Sequence, residues 1–288
     1  MGTSDGQILG FSKIVDAGPQ AQRWNVVIVS EGYQSSEMAL FANDANKFAA
    51  KLLAIAPFDR LKAAINIFRV DVTSTDSGAK DPKKCGGTGA KPRTYFDASF
   101  CANGIRRLLI ANNKRVLKVV GKQVPEWHMA FLAVNSPLSG GSGGEVATFA
   151  RADGIEIALH EMGHTAFGLA DEYEYYTNCA ESGHNKHSGS EPSQPNITTN
   201  KNRANTKWSS LIQASTPVPT TSNLNCKNCD PQASPVGVGT IGLFEGADYY
   251  HCNVYRPEYD CRMRNINQPF CGVCQQAIVK KLTPFLPA

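Results

Sequence analysis

The first half of the chain switches between two hydrophobic periods. Residues 23–30, RWNVVIVS, form an unbroken apolar run of strand length that Gly32 closes. From 36 to 55 the apolar positions Leu40, Phe41, Ala45, Phe48, Leu52 and Ile55 recur at helical spacing. Ser35 or Ser36 is placed to cap that helix, and Pro57 lies just past its end. Apolar runs at 65–73 (INIFRVDVT) and 127–134 (WHMAFLAV) predict two more strands, and 104–120 predicts a helix between them. VATFA at 146–150 reads as a short edge strand. Strand, helix, strand, helix, strand argues for an α/β layer. The Gly-, Asp-, Lys- and Thr-rich stretch 74–100 reads as a long loop, with Cys85 and Cys101 placed to staple it.

SPLSGGSGG at 136–144 reads as a flexible turn and mobile rim. It is not a phosphate loop, for no Lys-Ser/Thr closes it and no helix opens from it. A helix follows at 154–167, with Asp153 placed to cap its start and Gly168 to end it. Beyond Tyr176 the pattern fades. Residues 177–240 are dominated by Asn, Ser, Thr, Gly and Pro, with one short helical piece at 208–212, and a last helix is predicted at 271–282. The division expected is an α/β subdomain over 1–176 and a loop-rich subdomain over 177–288.

Composition explains what holds the second part together. Of nine cysteines, seven lie after residue 178, where apolar periodicity is poorest. That suits disulfide stapling in an oxidising compartment, with up to four bridges and one cysteine left over. Cys226-x-x-Cys229 with Cys271-x-x-Cys274 offers a rival, a four-thiolate zinc site. Secretion or a periplasmic location is the expectation, although MGTSDGQILG has no signal-peptide apolar core and the leader is absent from this chain. Asn196-Ile197-Thr198 fits an N-glycosylation sequon. The 288 residues carry 29 basic and 25 acidic side chains, interspersed, so neither a nucleic-acid face nor a membrane-binding face is expected. No run of apolar residues is long enough to span a membrane. A monomer is the expectation.

The chemistry concentrates in His160-Glu161-Met162-Gly163-His164. On a helix, positions i and i+4 face the same way, so both imidazoles can point at one ion. Glu161, one residue round, can then reach a metal-bound water as its general base. Ile157, Ala158, Met162, Ala166 and Phe167 give this helix apolar faces for burial. A zinc site needs a third ligand, and Asp171, seven residues past His164, is the first choice because a helix end at Gly168 lets the chain turn back. Glu172, Glu174 and His251 are the other candidates.

The chain resembles the IgA-cleaving metallopeptidase family, a bacterial zincin group near the metzincins. The resemblance runs through SEGY (30–33), PF (57–58), RVDVTSTDSG (69–78), GGSGGEVATF (140–149), HEMGHTAFGLADEY (160–173), YRPEYDCRM (255–263) and FCGVC (270–274). It implies a zincin-like α/β (α+β) fold with a mixed sheet, an active-site helix and an irregular, cysteine-stapled C-terminal subdomain. It implies a secreted or periplasmic zinc endopeptidase, with His160 and His164 as ligands and Glu161 as base. Gly168, Leu169, Asp171, Glu172 and Tyr173 match the family's extension of the zinc motif. Metzincins proper carry Gly and His where this chain has Phe167 and Ala170, so the third ligand differs here. Met263 resembles the methionine turn of metzincins.

The expected activity is hydrolysis of a protein or peptide substrate that adds itself to the edge strand 146–150. Zn²⁺ polarises the scissile carbonyl, Glu161 carries the proton, and Tyr255 or Arg256 steadies the oxyanion. Glu31 and Tyr33 either line the cleft or stabilise their turn. Two other functions fit the same residues: a noncatalytic extracellular module that binds glycan or protein around a structural metal, and a zinc amidase acting on a nonpeptide substrate.

Overall fold

The computed structural model describes residues 4–152, 154–176, 178–180, 183–230 and 232–287. Its contacts group the chain into two units, one running to Ala166 and resuming at Leu282, the other Phe167–Lys281.

The first unit is built on a six-stranded mixed sheet. Its strands are β1 (Ile8–Val15), β2 (Trp24–Glu31), β3 (Ile65–Val72), β4 (Met129–Val134), β5 (Gly141–Ser142) and β6 (Ala147–Ala150), in the order β1-β3-β2-β4-β6-β5. The inner pairs β2–β3, β2–β4 and β4–β6 are parallel, whereas β1 and β5 join antiparallel at the two edges. Every residue of β2 is buried, as expected of a central parallel strand covered on both faces. Register puts Val27 beside Phe68 and Ala130, and Val29 beside Val70 and Leu132. That face packs with Val116, Val119 and Val120 of helix α2 (Asn113–Gln123). Phe131 points to the opposite face, where Phe48 of helix α1 (Met38–Leu52) lies 4.7 Å from its ring and 5.8 Å from that of Phe149. Each such fully buried aromatic contributes roughly 2–3 kcal/mol.

Several boundaries differ from the sequence pattern. Ser35 and Ser36 sit in a single 3₁₀ turn, and the reach-back bond is made by Glu37, which accepts from the Gln34 N–H at 2.8 Å. The helix expected over 104–120 begins only at Asn113. The backbone before it is spent on bridges Ser99↔Ile110 and Leu108↔Gly141, and the Asn112 side chain caps the helix through the Arg115 N–H. VATFA is not the sheet edge, because Gly141 and Ser142 of the glycine-rich turn pair with Phe149 and Thr148. The strand β1 has no counterpart in the sequence reading: its apolar residues are half exposed, with Leu9 and Phe11 turned to solvent. Glu31 and Tyr33 stabilise their turn. Glu31 is fully buried and accepts from the Thr94 hydroxyl at 2.6 Å and from the Phe96 and Ala98 N–H groups at 2.9 Å each. Burial pushes its carboxyl above the usual range against the pull of these three donors. The Tyr33 hydroxyl donates to Asp44, which also pairs with Arg151 at 2.7 Å.

The second unit has little regular structure. It holds the hairpin β7 (Phe244–Ala247) and β8 (Tyr250–Arg256), the helix α4 (Gly272–Leu282) up to Lys281, a cluster of Ala170, Ile197, Ala247 and Val254 with Tyr250 against it, and further buried apolar residues that include Trp208, Leu243, Phe244, Phe270 and Ile278. The hairpin turns on Asp248 and Tyr249, both at positive φ, a turn that no Asn-Gly or Asp-Gly announces. Cross-links add to this burial. Cys179 is bridged to Cys229 and Cys226 to Cys252, while Cys85–Cys101 staples the long loop of the first unit as expected. These bridges exclude the four-thiolate site, since Cys226 and Cys229 have other partners. They also leave three free cysteines rather than one: Cys261, Cys271 and Cys274, all buried.

Polar side chains do the remaining work. Asn196 is wholly buried; its amide accepts from the Ala170 N–H at 2.8 Å and donates to Ala170 O and Glu172 Oε1 at 2.9 Å. A side chain so enclosed carries no glycan, so the sequon is not a glycosylation site of the folded chain. Glu191 closes the loop 191–199 by accepting from the Thr198 and Thr199 hydroxyls at 2.6 Å and the Thr199 N–H at 2.7 Å. Partial burial raises its pKa, but these donors and Lys207 more than offset that and hold it at about 2.

Two stability predictions follow from these carboxylates. Glu31→Ala strands three donors and is expected to cost on the order of 3 kcal/mol, read as a lower urea midpoint. Glu191 has a folded pKa below its unfolded one, so its contribution is present above the unfolded value and lost as pH falls through the folded value. The difference in melting temperature between wild type and Glu191→Gln should be constant at neutral pH and shrink as pH is lowered from about 5 toward 2.

Candidate active site

Helix α3 (Gly154–Phe167) carries the histidine pair. Asp153, its expected cap, lies outside the described residues. Ala158, Leu159 and Met162 anchor its buried faces, and Gly168 at φ +62° ends it in the left-handed conformation that glycine adopts without strain. The helical period then does what the spacing implies: His160 and His164 bring their Nε2 atoms to 3.1 Å of each other. Two nitrogens on a tetrahedral zinc at about 2.0–2.1 Å lie roughly 3.3 Å apart, so the pair fits such an ion.

Glu161 sits half-buried one position round the helix, and the glycine-rich turn passes directly over it. A Cβ on Gly143 would stand 2.7 Å from Glu161 Oε2 and 3.5 Å from the His164 Cβ. A larger residue there would displace the end of the Glu161 side chain. The turn thus packs against Glu161 and His164, a contact that its composition alone did not reveal.

In the second unit, the residues after α3 are held by their neighbours' backbones. The Asp248 N–H donates to Asp171 O at 3.0 Å, the Tyr249 N–H to Tyr173 O at 3.0 Å, and the Glu172 N–H to Met263 O at 2.8 Å. Asp171 is buried, and the Tyr249 hydroxyl donates to its Oδ2 at 2.5 Å. Burial and then the Asp171 charge push the Tyr249 phenol far above its usual range, so it stays a donor. Tyr249 escaped the sequence reading because nothing in the run Asp248-Tyr249-Tyr250 marks a hairpin turn.

His160 and His164 each offer a ring nitrogen that can hold a metal ion, and in the second unit Asp171 offers a buried carboxylate. The other third-ligand candidates go elsewhere. Glu172 belongs to a separate group with Cys261, Cys271 and Cys274. Glu174 pairs with Arg264 at 3.0 Å and Arg256 at 3.8 Å. His251 is buried in β8 with its Nδ1 3.0 Å from Cys226 O, and joins neither group.

The candidate oxyanion donors differ in how they are engaged. Arg256 is buried and donates to Glu245 O, Gly246 O and Tyr259 O, which makes it a bracket for the hairpin. Burial, then repulsion from Arg264, lowers its pKa to about 10. The Tyr255 hydroxyl has one long bond, 3.3 Å to Glu245 Oε1, and burial pushes its pKa up, leaving it protonated. Met263 is fully buried and touches the site segment through its carbonyl. Around the second group, burial pushes the Glu172 carboxyl and the Cys271 and Cys274 thiols well up. Burial acts the same way on Cys261, but hydrogen bonds from the Cys271 and Cys274 thiols and from the Met263 and Cys271 N–H groups outweigh it and hold that thiol well down.

Among the described residues no helix is long and apolar enough to cross a membrane. No curated protein matches the chain. The profile of the family described as IgA Peptidase M64 matches residues 12–229 and 231–282, which take in the sheet from the middle of β1 on, the His-Glu-His helix, the Met263 segment and the last helix. With nearly its whole length matched, the chain belongs to the IgA Peptidase M64 family.

Proposed function

We propose that the protein is a zinc endopeptidase in which His160, His164 and Asp171 hold the ion and Glu161 is the general base. The observation that carries this reading is the convergence of the His160 and His164 Nε2 atoms, with the Glu161 carboxylate on the next turn position beneath Gly143. A purely structural site has no use for a half-buried carboxylate there. When bound, zinc supplies Lewis-acid polarisation of the scissile carbonyl and acidifies water.

The chain's own residues do the rest. Glu161 accepts the proton of the attacking water and passes it to the leaving amine. Gly143 leaves room for that carboxylate. Tyr249 orients Asp171 through its short hydrogen bond. Tyr255, protonated and weakly engaged, is the donor proposed for the oxyanion, in preference to Arg256, whose donors are spent on backbone carbonyls. The substrate proposed is a protein or peptide; it does not add itself to β5 at Gly141, whose N–H donates to Arg107 O and whose carbonyl accepts from the Leu109 N–H. Three disulfides support a secreted or periplasmic location.

Glu161→Gln should retain zinc, measured by metal analysis, while cleavage of casein and peptide substrates falls by roughly 10²–10⁴-fold. Zinc in both proteins with cleavage by neither would favour the binding module or the amidase. No zinc in either would overturn the site. Gly143→Ala should leave zinc content unchanged and lower kcat by roughly 10- to 100-fold, because the added methyl displaces the base.

A further inference from the structure

The cluster left over by the peptidase reading lies wholly in the second unit. We propose that Cys261, Cys271, Cys274 and Glu172 form a second, structural zinc site that ties the segment after α3 to the Met263 turn and to α4. It does not rest on the catalytic reading.

Geometry argues for a metal. One ligand atom from each of the four residues lies within 4.8 Å of all the others, and all four residues are buried. Thiolates bound to a tetrahedral zinc at about 2.3 Å sit about 3.8 Å apart, and a thiolate and a carboxylate oxygen sit about 3.5 Å apart. The Cys261 and Cys274 sulfurs are 3.8 Å apart, and Cys274 Sγ is 3.5 Å from Glu172 Oε1. A disulfide would need about 2.05 Å.

Two independent observations agree. Glu172 Oε2 is buried without a hydrogen-bond partner among the described residues, a costly state for a carboxylate that a cation relieves. The backbone also points donors at the sulfurs: the Cys271 N–H lies 3.3 Å from Cys261 Sγ, and the Cys274 N–H 3.4 Å from Cys271 Sγ. Such bonds orient and stabilise ligating thiolates. The Cys-x-x-Cys spacing at the start of α4 is that of a zinc knuckle, with Cys261 from the preceding turn as third sulfur. Soft thiolates select zinc over magnesium or calcium, and the fully buried position leaves no open coordination site for substrate.

The test uses the full chain, stripped with chelator and reloaded with cobalt(II). Thiolate ligands give an intense charge-transfer absorption that histidine and carboxylate ligands do not. The band is expected in the wild type and in His160→Ala, and is expected to vanish in Cys271→Ser/Cys274→Ser. Zinc analysis should give two equivalents in the wild type and one in each variant. If the serine variant does not fold, wild type and His160→Ala alone decide: a band in both supports the second site, and no band in the wild type overturns it. Alkylation of the unfolded chain without reduction should modify three thiols; a single modified thiol would reveal a disulfide and also overturn it. Loss of peptidase activity in His160→Ala with the band retained separates this site from the catalytic one.

Discussion

Three main-chain hydrogen bonds fix the segment Asp171–Tyr173, and much of the chemistry follows from them. The hairpin turn donates to Asp171 and Tyr173, and Met263 accepts from Glu172. Successive residues of an extended segment face opposite ways. Asp171 is thereby turned to the Tyr249 hydroxyl and Glu172 to Asn196 and Cys274. A shift of one residue in this register would exchange the two carboxylates and break both sets of contacts at once. The segment has almost no apolar side chains of its own to hold it, so backbone pairing and the Asn196 amide must supply the positional accuracy.

The same economy governs the second unit as a whole. Most of its length is loop, so the burial of residues such as Trp208, Phe244 and Phe270 is joined by other ties that offset the entropy of ordering it. Two disulfides reduce the freedom of the unfolded chain, and buried polar side chains fix particular loops. Arg256 brackets the hairpin, Glu174 gathers two arginines, and Asn196 joins two strands of loop. Each is satisfied by several partners, which is the condition for a buried polar group to hold a structure rather than weaken it.

How much of this was legible depended on period and on chemistry. The strands at 24–31, 65–72 and 129–134 and the helices at 38–52, 154–167 and 272–282 announced themselves because buried apolar runs and helical stripes leave a periodic trace. The approach of His160 to His164 was legible because a helix turns the i, i+4 spacing into geometry. The hairpin 244–256 was not, since its turn residues adopt positive φ without glycine and its strands mix Glu, His, Asn and Arg among the apolar positions. The start of α2 was misplaced because backbone bridges from distant loops override local propensity. Cysteine pairing was hidden for a related reason: it depends on which loops meet, and spacing does not encode that.

Asn196 carries a consequence beyond its hydrogen bonds. The amide nitrogen that an oligosaccharyltransferase would modify is the atom that reaches Ala170 O and Glu172 Oε1. That enzyme acts on unfolded chain, before the loop has closed. A sugar attached then would occupy the space into which the side chain must withdraw, so glycosylation and folding compete for the same nitrogen. The choice of host for producing this protein is thus a structural variable: a secretory pathway that glycosylates Asn196 yields chains barred from the arrangement that positions Glu172.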